Sequence, residues 1–219
     1  MILLPALAQI EPMLLTEART APADGGSLVE LKHDGFRALV DITGPTVEVR
    51  TRNGANASTW WPEICAGLAN LSKTRTVLDG EACVLDELGR SDFTRMLERS
   101  RRRRWYRDAP PVVFIAFDIL IDRGVDVRAE PLRHRKVLLA QALRKQRPNV
   151  LLCQHLPGEQ APDLYEAAVQ LKLEGIVVKQ LESPYVGGEP RTGHWVKIKR
   201  PGATPAQRFT RDTDLELGC

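Results

Sequence analysis

The residues best equipped for chemistry in this 219-residue chain begin at Lys32, within Glu30-Leu31-Lys32-His33-Asp34-Gly35-Phe36-Arg37. A lysine amine is a nucleophile only after losing its proton, and an ordinary lysine, with a pKa of about 10.4, is neutral in about one molecule in a few thousand at pH 7. A nucleophilic lysine therefore needs nearby cations or removal from water, and Arg37 and the late lysines are candidates for the first. The apolar residues before Lys32 predict a strand and Asp34-Gly35 predicts a turn, which sets the amine at a strand end beside a loop. An exposed strand-end lysine before an ordinary hairpin turn has the same local pattern. The four fixed residues of Lys-x-Asp-Gly-x-Arg arise by chance in roughly one unrelated chain in a few hundred, so their company must decide between the two.

That company is chemically apt. Lys197 and Lys199 sit two apart on a predicted strand, which puts both amines on one face while Val196 and Ile198 point into the core. Glu81 and Glu174 fall at predicted strand positions in apolar surroundings, where a carboxylate is costly unless it meets a metal, a hydroxyl or a cation. Phe117, in FIAFDIL, has the composition of a core aromatic. Glu30 shares a strand face with Lys32. Between Arg99 and Arg107 six of nine residues are arginine, with Trp105 and Tyr106 beside them. Such a run suits phosphate contact and base stacking, and equally a solvated basic helix end.

The elements that must position these residues read as a mixture. LVEL (28–31), RALVDI, VEVRTR, TVLDGEACVLD and PVVFIAFDIL are strand-like, with a hairpin at Thr43-Gly44-Pro45, and EGIVVK (174–179) and HWVKIK (194–199) close the series. Helical periodicity appears in 62–71, 92–103, 131–146 and 163–173. The order is not strict βαβ alternation, so the fold class expected is α+β with largely antiparallel sheets flanked by helices. Charged residues at 27% and hydrophobic residues at 43% exclude a disordered or fibrous chain. The four cysteines form no C-x-x-C pair and the histidines no metal-ligand spacing, consistent with a reducing, cytoplasmic setting. Neither a secretory signal nor a membrane span is read.

The motif Lys32-x-Asp34-Gly35-x-Arg37 resembles the nucleotidyl-acceptor motif of ATP-dependent DNA ligases, RNA ligases and mRNA capping enzymes. Further family motifs follow in order: Thr51-Arg52-Asn53-Gly54, Leu78-Asp79-Gly80-Glu81, Phe117-Asp118, Glu174 to Lys179, and Trp195 to Lys199. Glu11-Pro12-Met13-Leu14 and Ser183-Pro184-Tyr185 make the chain most similar to the ligase domain of bacterial end-joining ligases. The resemblance implies a nucleotidyltransferase (ATP-grasp-like) fold in which Lys32 becomes bonded to AMP from ATP. AMP would then pass to a DNA 5′-phosphate and be displaced by a 3′-hydroxyl, sealing a nick in DNA repair and recombination.

By the same resemblance Glu30 accepts a hydrogen bond from the adenine amino group, Phe117 stacks on adenine, and Arg37 and Glu81 reach the ribose. Arg52, Lys197 and Lys199 meet phosphate, and Glu174 helps hold Mg²⁺ or Mn²⁺. Arg101, Arg102, Arg103 and Arg104 are the expected nucleic-acid contacts, on nicked or broken double-stranded DNA in a bacterial, nucleoid-associated setting. The expected organisation is an adenylation domain over 1–200 and a tail over 201–219. Family ligases continue into an OB-fold domain of roughly 50 residues or more, and nineteen residues follow Arg200, so a separate OB-fold or end-joining partner protein is expected to complete the enzyme. An RNA ligase or capping-type transferase, and a catalytically silent nucleic-acid-binding module, are the competing readings.

Overall fold

Apolar and alternating stretches along the chain build the strands that carry the candidate residues. The structure, a computed structural model, describes residues 4–20, 25–188, 190 and 193–203. In chain order the strands are β1 (Thr16–Glu17), β2 (Ser27–Lys32), β3 (Phe36–Thr43), β4 (Thr46–Thr51), β5 (Thr76–Cys83), β6 (Val113–Asp122), β7 (Val125–Asp126), β8 (Val150–Leu152), β9 (His155–Pro157), β10 (Gly175–Gln180) and β11 (Trp195–Lys199). The helices are α1 (Pro62–Leu68), α2 (Phe93–Arg101), α3 (Leu132–Ala142) and α4 (Ala161–Gln170). One sheet runs β1-β11-β10-β2-β9 and the other β4-β3-β5-β6-β7, with β8 joining β6. Every pairing is antiparallel except β1 with β11 and β6 with β8. This is the expected α+β class.

The sheets are stacked, which explains why β5 and β6 read as continuous apolar runs: both of their faces are covered. Leu28 and Trp195 from one sheet meet Leu39, Val77 and Ile121 from the other in the layer between them. Trp61, Ile64, Leu68, Met96 and Leu139, from α1, α2 and α3, cover the outer face of the six-stranded sheet. Ala161 and Ala168 of α4 pack on Val29, Ile176 and Ile198 outside the five-stranded one. At about 25 cal/mol per Å² of apolar surface, these three layers are what hold the two sheets together.

The helices are shorter than the periodicity predicts. α1 stops at Leu68, before Asn70 turns to φ 57°, and α3 ends at Ala142 instead of 146. Asp34-Gly35 is not a hairpin turn. It carries the chain out of one sheet, at the end of β2, into the other, at the start of β3. Gly35 is needed there for closeness, since a Cβ would lie 2.3 Å from the Ala82 carbonyl oxygen. Most of the expected tail, residues 204–219, lies outside the described residues, as do Glu189, Arg191 and Thr192 of the YVGGEPRTGHW segment.

Candidate active site

Where β2 ends, the Lys32 side chain is 20% exposed and its Nζ donates to Glu174 Oε2 at 2.6 Å. Strand register produces this contact. Gly175, the first residue of β10, pairs with Lys32 on one side and with Lys199 on the other, so the preceding Glu174 stands between the two lysines. Glu174 thus lies just before the strand expected to include it. Lys199 Nζ is 3.7 Å from its Oε1. A Cβ at Gly175 would lie 2.0 Å from the Ile198 carbonyl oxygen, so only glycine lets β10 begin here.

Lys32 borders a cleft of about 60 Å³ whose walls include Glu30, Arg37, Glu81, Phe117, Lys179 and Trp195. The cleft therefore brings together Lys32 and four of the residues predicted to touch nucleotide. Burial pushes the Glu81 carboxyl up to about 8 despite Lys32 and Arg37 nearby, with Glu174 and Asp79 adding repulsion. Asp34 rises to about 6, first by burial and then by the charge of Glu174. Three acids therefore crowd around the amine, and together they favour added positive charge.

At the deeper end, Glu30 is 2% exposed and meets two ammonium groups. Lys179 Nζ lies 2.7 Å from Oε2, and Lys136 of α3 bonds to Oε1. Lys179 also sits over the Phe117 and Trp195 rings, 4.3 and 4.0 Å from their centroids. Phe117 meets Trp195 edge-on, so it forms a wall of the cleft as well as part of the core. Arg37 bonds in bidentate fashion to Asp79, at 3.1 and 2.7 Å, donates to the Met13 carbonyl, and has the Tyr185 hydroxyl at 3.4 Å. Its guanidinium is thereby fixed between the sheets, with its face toward Phe117.

The remaining candidates lie apart. Lys197 shares a strand face with Lys199, but its Nζ pairs with Glu17 at 3.1 Å. Arg52 is exposed and is not a wall of the cleft, although its backbone N–H donates to the Arg37 carbonyl at 2.9 Å. Arg101, Arg102, Arg103 and Arg104 are all exposed around the end of α2, where Arg102 stacks on Tyr106 and Arg103 faces Trp60. Arg99 corrects the reading of that run as one basic surface. It is fully buried, pairs with Glu63 at 3.1 Å, and shares an inward face with Met96 and Ser100.

Sequence reasoning missed Lys136, Lys179, Asp79 and Tyr185 as parts of the site. A signal existed for the two lysines, because a glutamate inside LVEL requires a counter-ion, but nothing local to Glu30 names its partner.

Two stacked, largely antiparallel sheets, with Lys32 bordering an aromatic-walled cleft and paired through Glu174 with Lys199, define a nucleotidyltransferase-type domain. Residues 5–199 match the model of the ATP dependent DNA ligase domain family, and the chain belongs to that family. It is 34% identical over 190 residues to the multifunctional non-homologous end joining protein LigD of Mycolicibacterium smegmatis, covering 86% of this chain and 23% of that protein. It is 31% identical over 192 residues to the SPbeta prophage-derived DNA ligase-like protein LigB of Bacillus subtilis, covering 86% of this chain and 67% of that one. Among solved structures, mycobacterial DNA ligase D complexed with ATP and MES superposes with a TM-score of 0.77 at 29% identity, covering 89% of this chain and 61% of the other. The chain thus spans under a quarter of the LigD protein and about three fifths of that ligase structure.

Proposed function

We propose that this domain carries out the nucleotidyl-transfer steps of an ATP-dependent DNA ligase through a covalent Lys32-AMP intermediate. Lys32 Nζ, after its ammonium proton passes to solvent, attacks the α-phosphorus of ATP; the bond to the bridging oxygen breaks, pyrophosphate leaves, and the second proton released from nitrogen goes to solvent. AMP passes to a 5′-phosphate at a nick in double-stranded DNA, and a 3′-hydroxyl displaces it as the strand is sealed. The observation that carries this reading is the Lys32-Glu174-Lys199 arrangement, whose Lys32 borders the cleft. Glu174 orients the amine, while Lys199 supplies positive charge where the phosphate becomes more negative. Phe117 offers a face for the base, and Arg37 and Glu81 border the ribose side.

A divalent ion, Mg²⁺ or Mn²⁺, fits the donor chemistry. Among the described residues no three of His, Cys, Asp and Glu form a group that could hold a metal unaided. Mg²⁺ needs only one or two carboxylates when phosphates and water supply the rest, and the crowded acids around Lys32 favour a cation. Glu174 would hold it, and the ion would neutralise charge on the phosphates. Arg101 to Arg104 would track the DNA backbone, with exposed Trp105 beside them. Residues 1–200 would act as the adenylation unit, completed by an OB-fold or end-joining partner protein during cytoplasmic, nucleoid-associated repair and recombination. Incubation with ATP and Mg²⁺ should add one AMP mass to the protein. Absence of labelling by any nucleotide would reject the proposal.

A further inference from the structure

The two lysines on Glu30 are not equivalent. Lys179 faces the cleft, packed over Phe117 and Trp195, whereas Lys136 does not border the cleft and approaches the carboxylate from α3. The helix is pinned by the preceding residue: Arg135 donates to both oxygens of Asp118 on β6, at 2.9 and 3.0 Å, with both side chains fully buried. Lys136 thus reaches Glu30 from a helix that is held to the sheet. Lys179, on β10, ends in the space a base would use.

Charge points the same way. Two ammonium groups around one buried carboxylate leave one positive charge too many, which a low-dielectric interior penalises. Burial holds Lys179 below the ordinary lysine range, since Glu30 is shared with Lys136. For Lys136 burial pulls the same way, but the pull of Glu30 outweighs it and holds the ammonium above its ordinary range. Glu30 stays below the ordinary carboxylate range because the two lysines outweigh its own desolvation.

We infer that Lys136 is a specificity-determining positioning residue: it is the permanent counter-ion that keeps Glu30 an anionic acceptor, while Lys179 yields Oε2 to the exocyclic amine of an incoming purine. This deepens the adenylylation reading and rests on it. A carboxylate can only accept hydrogen bonds, so Oε2 welcomes a 6-amino group and repels a 6-oxo group. Without Lys136, Lys179 becomes the sole counter-ion and is held in place, and the acceptor is lost to the base.

The test is the ratio of kcat/KM for self-labelling with ATP and with ITP. Lys136→Met should lower the ATP preference by about tenfold or more, and Lys136→Arg should restore it. Lys179→Met should keep the preference, because the permanent cation remains, while KM for ATP falls with its competitor gone. An unchanged ratio in Lys136→Met, or a collapsed ratio in Lys179→Met, overturns the assignment. The second variant decides the matter even if the first does not fold. Failure of the wild type to label with any nucleotide would instead reject adenylylation itself.

Discussion

Glu30 and Lys32 stand two residues apart on one strand face, and each sits in a cluster of one glutamate and two lysines. The clusters differ in burial. Around Glu30 the side chains are 3% to 5% exposed and the acid is enclosed by its cations. Around Glu174 the lysines are 20% and 22% exposed, and the acid is shared between two amines that solvent and substrate can reach. On the proposed function, the same charges would make a recognition element in the enclosed cluster and an adjustable reactive one around Lys32. The enclosed cluster keeps Lys136 as a standing counter-ion while Lys179 can give way; the open one can exchange an amine for a phosphate without stranding a charge.

Removing one charged side chain from each cluster separates them most strongly. Glu30→Leu leaves two buried ammonium groups without a partner and should destabilise the fold by about 3–5 kcal/mol, read by urea denaturation. Lys32→Ala leaves Glu174 its second lysine and should cost no more than about 1 kcal/mol. Equal losses would dissolve the contrast. Next in size is Glu174→Gln, which should slow AMP transfer to Lys32 by about 100-fold in single-turnover assays, with only a small change in melting temperature.

Glu81, beside the open cluster, should also impose a pH dependence. Glu81, raised to about 8, keeps a proton in the folded protein that the unfolded chain has released above its ordinary carboxylate range. More protons are bound folded than unfolded in that window, so stability falls as pH rises from about 5 to about 8. Glu81→Gln should flatten that decline, read as a smaller loss of urea stability than wild type between about pH 5 and about pH 8. A decline of equal steepness in the variant would place the titration elsewhere. The smallest effect lies outside both clusters: each of Arg101 to Arg104 that touches phosphate should, when changed to Ala, reduce the salt slope of DNA binding by about 1. Self-labelling should be unaffected.

The open cluster was largely legible in the sequence; of the closed one Glu30 was, and its two lysines were not. Lys32, Glu81, Glu174 and Lys199 stand in short motifs whose spacing survives folding, because strand register converts sequence offset into side-chain direction. Lys136 lies in LRHRK, which reads as a solvated helix face, and its contact with Glu30 spans 106 residues of chain. Arg99 was hidden by its neighbours. A run of arginines conceals which one the helix turns inward, although the spacing Met96, Arg99, Ser100 marks that face. Strands β8 and β9, three residues each, are too short to show any period. The Asp34-Gly35 turn signal was real as a change of direction, but the choice between hairpin and sheet crossing was made by the close approach of Gly35 to β5.

Intact-protein mass measurement after incubation with ATP and Mg²⁺ shows whether the amine at residue 32 takes up AMP. The account predicts a gain of one AMP in the wild type, reversed by added pyrophosphate, and no gain in Lys32→Ala. A labelled Lys32→Ala protein would contradict it.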